Sequence, residues 1–278
     1  MNPEPPAAPV ASPVGPDPGD RLFLVDGTAL VYRAHFAFLR NPLITTRGET
    51  VSAVYGFAMA LVQLLREENP RAMAVAFDGG GPTFRHEQFA AYKAQRPPMP
   101  EELARQFPLA RALVEAFGIK LLRQEGIEAD DLIGSLARCA EREGREIVIV
   151  SADKDFMQLL GPRVRQWIPP TGGGAGEWVD SSGVEARWGV RPDQMIDLLA
   201  LMGDASDNVP GVAGIGPKTA AQLLQRFGSL EGIYEHLEEL GASAVRSKLE
   251  KDRDSAFLSR ELVRIRCDAE PAGALEGL

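Results

Sequence analysis

EIVIVSADKDFMQLL (146–160) opens as a short, wholly apolar run and closes on an aspartate, Asp153. The same design occurs twice upstream, in RLFLVD (21–26) and AMAVAFD (72–78). Longer amphipathic stretches separate the runs. SAVYGFAMALVQLLRE (52–67) has apolar positions at helical spacing, and a helical pattern at 129–143 precedes the third run. Strands alternating with helices predict a mainly parallel sheet covered on both faces, an α/β fold. Ligands of such sheets gather beyond the carboxyl ends of the strands, where Asp26, Asp78 and Asp153 are expected.

Working outward, the acids recur in clusters. EADDLIGSLARCAERE (128–143) places Glu128, Asp130 and Asp131 in the first turn of a helix whose apolar face is Leu132, Ile133, Leu136, Ala137 and Ala140. Acids favour a helix N-terminus for dipole reasons alone, so this cluster by itself proves nothing. SADKDFMQLL (151–160) adds Asp153 and Asp155, and LMGDASDNVPG (202–211) adds Asp204 and Asp207, whose spacing of three would face them one way on a helical turn. A helix cap and an Asp- and Gly-rich turn are the plain readings of those two. Convergence weakens the plain readings, because three of these groups end strands of one sheet. So many carboxylates in one cleft would repel, raising pKa values, and bound cations would relieve that cost. Oxygen donors with almost no His or Cys point to Mg²⁺ or Mn²⁺ rather than zinc. Two such ions ~4 Å apart would suit phosphodiester hydrolysis.

Composition bounds the alternatives. The 278 residues are 45% hydrophobic and 25% charged, an ordinary globular balance. No apolar run approaches the ~20 residues of a membrane span. The start, MNPEPPAAPVASPVGPDPGD, lacks a basic region and an apolar core, so it does not read as a secretory signal. Residues 1–20 are expected to be a disordered Pro/Ala-rich tail, and the cytoplasm is the expected location. Cys139 and Cys267 give neither a disulfide framework nor a zinc spacing; Cys139, on a helical pattern, is expected as a small core residue. A net charge of −9 argues against a simple basic DNA-binding surface, but an enzyme that gathers carboxylates around cations can be acidic overall.

Two further stretches carry function. GGGPTFRHEQFAAYKAQRPPMPEELARQF (79–107) is too long and too basic for an ordinary connection. GVAGIGPKTAAQLLQRFGS (211–229) is not a Walker A loop, since Pro217 separates Gly216 from Lys218. It is not a dinucleotide fingerprint, which would follow the first strand. The remaining reading is a helix–hairpin–helix type turn. There Gly214 and Gly216 let backbone approach a phosphate, which the next helix N-terminus, Lys218 and Thr219 bind without reading bases. PPTGGGAGEW (169–178) reads as a hairpin turn or loop.

LVDGTALVYRAHFA, VAFDGGGPTFRHEQFAAYKAQRPPMP, EGIEADDLIG, IVSADKDFMQLL and LMGDASDNVPGVAGIGPKTA together resemble the bacterial 5′–3′ exonuclease and flap endonuclease family, in its stand-alone form. The resemblance runs from about residue 21 to 267. It implies a PIN-like core at 21–190 with a helical arch at about 79–107. A helical DNA-binding subdomain at 191–278 would carry a helix–three-turn–helix motif at 204–228. By the same resemblance, Asp26, Asp78, Glu128 and Asp130 would serve one metal ion and Asp153, Asp155, Asp204 and Asp207 a second, with Asp131 between them. Lys93 and Arg96 would steady the scissile phosphate, and Arg85 and Tyr92 would contact or stack on an unpaired nucleotide. A K⁺ ion at the helix–three-turn–helix motif is a further implication. The expected partner is branched, flapped or nicked duplex DNA with a 5′ single-stranded end, with an RNA–DNA hybrid as an alternative; no membrane and no oligomer is implied. The competing function is a non-catalytic branched-DNA binding module, which the full acid set disfavours because a pure binder gains affinity by losing negative charge. An Asp-nucleophile phosphatase at VDGT (25–28) fails, because Thr28 stands where a second Asp is needed. No polymerase domain follows, so a stand-alone enzyme or a fragment is expected, and the GGGAG loop at 172–176 departs from the family.

Overall fold

The computed structural model describes residues 21–170, 174–269 and 275–278. The expected tail at 1–20 lies outside them, as do Gly172 and Gly173 of the Gly-rich loop. The strands are β1 (Leu22–Asp26), β2 (Ala72–Ala76), β3 (Lys120–Leu122), β4 (Ile147–Val150), β5 (Val164–Ile168) and β6 (Glu177–Val179). The N-terminal helices are α1 (Gly27–Ala37), α2 (Ser52–Glu68), α3 (Phe84–Gln88), α4 (Glu101–Ala104), α5 (Gln106–Ala116) and α6 (Ala129–Arg142). The rest of the chain adds α7 (Ser181–Trp188), α8 (Met195–Met202), α9 (Pro217–Phe227), α10 (Leu230–Glu235), α11 (Ala244–Lys251) and α12 (Arg253–Val263).

The sheet order is β3-β2-β1-β4-β5-β6. Only β6 is antiparallel, joined to β5 as a hairpin. The expected mainly parallel sheet is therefore present. Strand β1 shows why it is buried on both faces. Leu22 and Leu24 enter one core with α6 and α8, while Phe23 and Val25 enter the other with α1, α2 and α5. Each such side chain contributes about 1.5–3 kcal/mol on burial, so a polar residue at any of these four positions of β1 would breach one core or the other.

Chain order reverses between β1 and β4: β2 and β3 build outward on one side, β5 and β6 on the other. This switch point opens a crevice at the carboxyl ends of the strands. Asp26 ends β1, and Ser151 follows β4 directly. Helix α1 starts flush against β2, since a Cβ on Gly27 would come within 2.7 Å of Val75 Cγ1 and 2.9 Å of the Ala76 carbonyl oxygen. Two expectations need correction. Cys139 is exposed, because it falls one position off the buried stripe of α6. Asp204 and Asp207 sit not on a helical turn but in a loop after α8. That loop is closed by paired backbone hydrogen bonds between Asp204 and Val209.

Candidate active site

Five acid-bearing segments meet at the switch point. Asp26, 3% exposed, caps α1: one oxygen accepts from the Ala29 amide at 2.9 Å and the other from Ser151 Oγ at 3.0 Å. Asp78 accepts from the Ala129 amide at 2.8 Å, so the acid beyond β2 caps the helix that carries Glu128 and Asp130 at its start. Asp153 caps the 3₁₀ turn Lys154–Leu159 through the Asp155 amide at 2.9 Å. Asp204 is fixed by its bonds from Ser206.

These groups feel one another. Burial first, then repulsion from Asp78 and Asp153, pushes Asp26 up to about 7 against the bonds from Ala29 and Ser151. Burial and repulsion from Asp26, Asp153 and Asp78 raise Asp130 well above the ordinary carboxylate range. Asp155 is pushed up to about 7, by burial and then by Asp153, with Lys154 opposing. Asp204 moves the other way: burial would raise it, but hydrogen bonds from Lys154 and Ser206 hold it low.

Side-chain cations already occupy part of the cluster. Lys93 Nζ stands 2.9 Å from Glu128 Oε2 and 3.8 Å from Asp207 Oδ2. Arg96 pairs with Asp207, and Lys154 pairs with Asp204 and stands 3.5 Å from Asp155 Oδ1. With these pairs made, no three acidic, His or Cys side chains among the described residues form a finished metal cage. The donor chemistry nonetheless suits a hard divalent ion: oxygen ligands only, in mutual repulsion, with Asp155 Oδ1 buried and lacking a hydrogen bond. Metal entry would require the carboxylates to exchange side-chain cations for the ion.

The segment 79–107 reaches the cluster from the side. The Lys93 amide donates to the Asp207 carbonyl, Asn208 Nδ2 to the Ala91 carbonyl and Gln95 to Asn208. Three assignments from sequence change here. Arg85 is 3% exposed and cannot touch a nucleotide; it grips Asp131 with two bonds of 2.8 Å. Asp131, 2% exposed, also accepts from the Arg266 amide, so its oxygens face protein donors rather than the crevice. Tyr92 is buried, its hydroxyl on Asp207 at 3.1 Å and near Glu128, and its ring edge-on to His86, leaving no free face for a base. Sequence reasoning missed Lys154, which pairs with Asp204, and Gln158, whose buried amide bonds the Val263 carbonyl and the Ile265 amide. The flanking acids in DKD were a signal for Lys154; nothing local distinguished Gln158.

Gly214, Gly216 and Lys218 are exposed and Thr219 half-exposed, in the turn before α9 and in its first helical turn. Gly203 and Gly211 cross at the two ends of the loop that carries Asp204 and Asp207, at φ +70 and +63, and a Cβ on Gly203 would lie 2.6 Å from the Val209 carbonyl oxygen. The first amides of α9 have no intrahelical partners, and Pro217 has none to offer. A cavity of about 1160 Å³ lies elsewhere, between α1 and α2, lined by Phe36, Phe38, Tyr55 and Met59, and holds none of these acids.

The family model for the 5′-3′ exonuclease N-terminal resolvase-like domain matches residues 21–189, and that for the 5′-3′ exonuclease C-terminal SAM fold matches 190–278. DNA polymerase I of Treponema pallidum is 46% identical over 263 residues, covering 92% of this chain and 25% of the polymerase. The thermostable DNA polymerase I of Thermus filiformis is 44% identical over 252 residues, covering 91% and 29%. The chain thus spans little more than a quarter of these relatives. Among solved structures, the 5′-exonuclease of bacteriophage T5 with bound zinc ions superposes with a TM-score of 0.73 at 24% identity, covering 92% of this chain and 91% of that one. The catalytic core of Rad2 in complex with DNA substrate gives 0.59 at 21%, covering 91% and 81%. At these identities the structural likeness speaks to the fold. Both family models fall in order along one chain, around one crevice of acids, and the chain belongs to the 5′-3′ exonuclease family.

Proposed function

We propose that this nuclease of the 5′-3′ exonuclease family hydrolyses phosphodiester bonds in duplex DNA bearing a 5′ single-stranded end or flap. It would do so with two Mg²⁺ or Mn²⁺ ions held by its carboxylates. The observation that carries the reading is the mutual repulsion of Asp26, Asp78, Asp130 and Asp153 at the switch point, with Lys93 and Arg96 alongside on Glu128 and Asp207. Asp26, Asp78, Glu128 and Asp130 would hold one ion, and Asp153, Asp155, Asp204 and Asp207 the other. When bound, such ions would supply an activated water and neutralise charge on the transferring phosphoryl group.

The chain's own residues do the rest. Lys93 and Arg96, released from Glu128 and Asp207, would move onto the scissile phosphate and stabilise its developing charge. Residues 191–278 would form the duplex-binding subdomain, with Gly214, Gly216, Lys218 and Thr219 gripping phosphate without reading bases. Products would carry a 5′-phosphate and a 3′-hydroxyl. At this turn Lys248 Nζ already takes the Gly214 carbonyl at 2.9 Å and Ser255 Oγ the Gly211 carbonyl at 2.7 Å, so these two oxygens are engaged by protein donors rather than turned to a K⁺ ion.

A gel assay on 5′-flap, nicked and RNA–DNA substrates, with and without Mg²⁺, tests the reading. Mg²⁺-dependent cutting near the junction is expected, and Asp153→Asn should abolish it while leaving the circular dichroism spectrum unchanged. Full activity of Asp153→Asn would overturn the metal assignment, and binding without cutting by the wild type would replace the proposal with a binding module.

A further inference from the structure

Residues 262–266, at the end of α12 and just beyond it, form a strap held by three buried side chains: Arg85 of α3, Asp131 of α6 and Gln158 of the 3₁₀ turn. Arg85 Nε donates to the Leu262 carbonyl and Nη2 to the Arg264 carbonyl, both at 2.8 Å. Gln158 Nε2 donates to the Val263 carbonyl at 2.9 Å, and Gln158 Oε1 accepts from the Ile265 amide at 3.0 Å. Asp131 accepts from the Arg266 amide at 2.8 Å. Five successive residues thus each give one backbone group to one of three side chains, and none of these bonds lies within a helix or sheet ladder.

The three side chains sit next to the metal-binding candidates. Asp131 follows Asp130 in the first turn of α6, and Gln158 lies in the 3₁₀ turn that Asp153 caps and Asp155 enters. Arg85 also stands 3.4 Å from Glu128 Oε2. Helix α12 reaches the remaining segment, since Ser259 Oγ accepts from the Gly211 amide at 2.9 Å in the loop that carries Asp204 and Asp207. Repulsion among Asp26, Asp130, Asp153 and Asp155 pushes these segments apart. A tie that both α6 and the 3₁₀ turn share opposes it.

We infer that Arg85 and Gln158 are positioning residues: through the strap at 262–266 they set the spacing between the Glu128–Asp130 carboxylates and the Asp153–Asp155 carboxylates. The inference rests on the metal-dependent reading above. Arg85 meets the demand that a rigid fork of donors be filled from several directions at once. Lysine, with three donors and no fork, cannot reproduce that. Partners that orient metal ligands typically change metal affinity by about 10–100-fold when removed.

The test uses the whole chain, with Mn²⁺ as the probe. Mn²⁺ uptake by DNA-free protein is followed by electron paramagnetic resonance for the wild type, Arg85→Lys and Gln158→Met. Flap cleavage is then titrated with Mg²⁺. Both variants are expected to bind Mn²⁺ about tenfold more weakly and to need correspondingly more Mg²⁺ for half-maximal cleavage, with KM for flap DNA unchanged. A purely structural role would lower the melting temperature and leave the affinity of the folded fraction alone. Gln158→Met removes no charge and carries the test should Arg85→Lys fail to fold. Wild-type Mn²⁺ affinity in a folded Gln158→Met variant overturns the inference. A wild type that neither takes up Mn²⁺ nor cuts DNA overturns the nuclease reading itself.

Discussion

The Lys93 amide donates to the Asp207 carbonyl at 2.9 Å, so the basic segment and the loop after α8 meet main chain to main chain beside the acid cluster. Lys93 reaches this bond at φ +55, a left-handed conformation that a side chain rarely adopts. The same residue aims its ammonium at Glu128. Burial would lower the Lys93 pKa, but Glu128 and Asp207 outweigh it and raise it, so the group stays charged at neutral pH.

Lys93→Ala should lower single-turnover cleavage of a 5′-flap by about 10²–10³, the usual cost of removing one donor to a developing oxyanion. Mg²⁺ should bind as well or better, since a competing cation is gone. If Lys93 were only a counter-ion for Glu128, metal affinity would rise and the rate would hold.

Asp131→Ala should act on stability. It strands the buried Arg85 guanidinium and the Arg266 amide, and breaking a buried pair from one side costs about 3–5 kcal/mol. Urea unfolding of the metal-free protein measures this. Unchanged stability, with loss of Mn²⁺ uptake as complete as in Asp153→Asn, would return Asp131 to the ligand set.

The acid cluster sets a pH dependence. Asp26 and Asp155 hold their protons to about 7 in the folded chain, against 3.8 ordinarily. Between about pH 4 and 7 the folded state therefore binds more protons than the unfolded one, and stability falls as pH rises. Asp204, held low, contributes stability that is lost only on acidification below about pH 4, outside that window. In EDTA the melting temperature should drop from pH 5 to pH 8, and Mg²⁺ should restore most of it at pH 8. A melting temperature that climbs across this range in EDTA would contradict the repulsion.

Lys218→Ala should weaken binding to all duplexes alike and reduce the slope of log affinity against log salt by about 1. Loss confined to particular sequences would show that the turn before α9 reads bases.

The sheet was legible because β1, β2 and β4 are buried on both faces and so read as unbroken apolar runs ending near acids. The convergence of Asp26, Asp78 and Asp153 followed from strand ends alone. Arg85, Tyr92 and Asp131 were misread for a common reason. Their neighbours in sequence are functional, but their partners lie far along the chain, at Leu262, Asp207 and Arg266. Gln158 was invisible for the same reason, since its role is set by backbone more than 100 residues away. The loop at 203–211 broke the helical spacing of Asp204 and Asp207 because Gly203 and Gly211 turn the chain there at positive φ.

Anomalous diffraction from crystals of the protein soaked in Mn²⁺ tests the central claim most directly. Two peaks are expected at the switch point, one among Asp26, Asp78, Glu128 and Asp130 and one among Asp153, Asp155, Asp204 and Asp207, with Lys93 and Lys154 turned away from their present partners. A map with no peak in that crevice, and the carboxylates still paired to Lys93, Arg96 and Lys154, would contradict it.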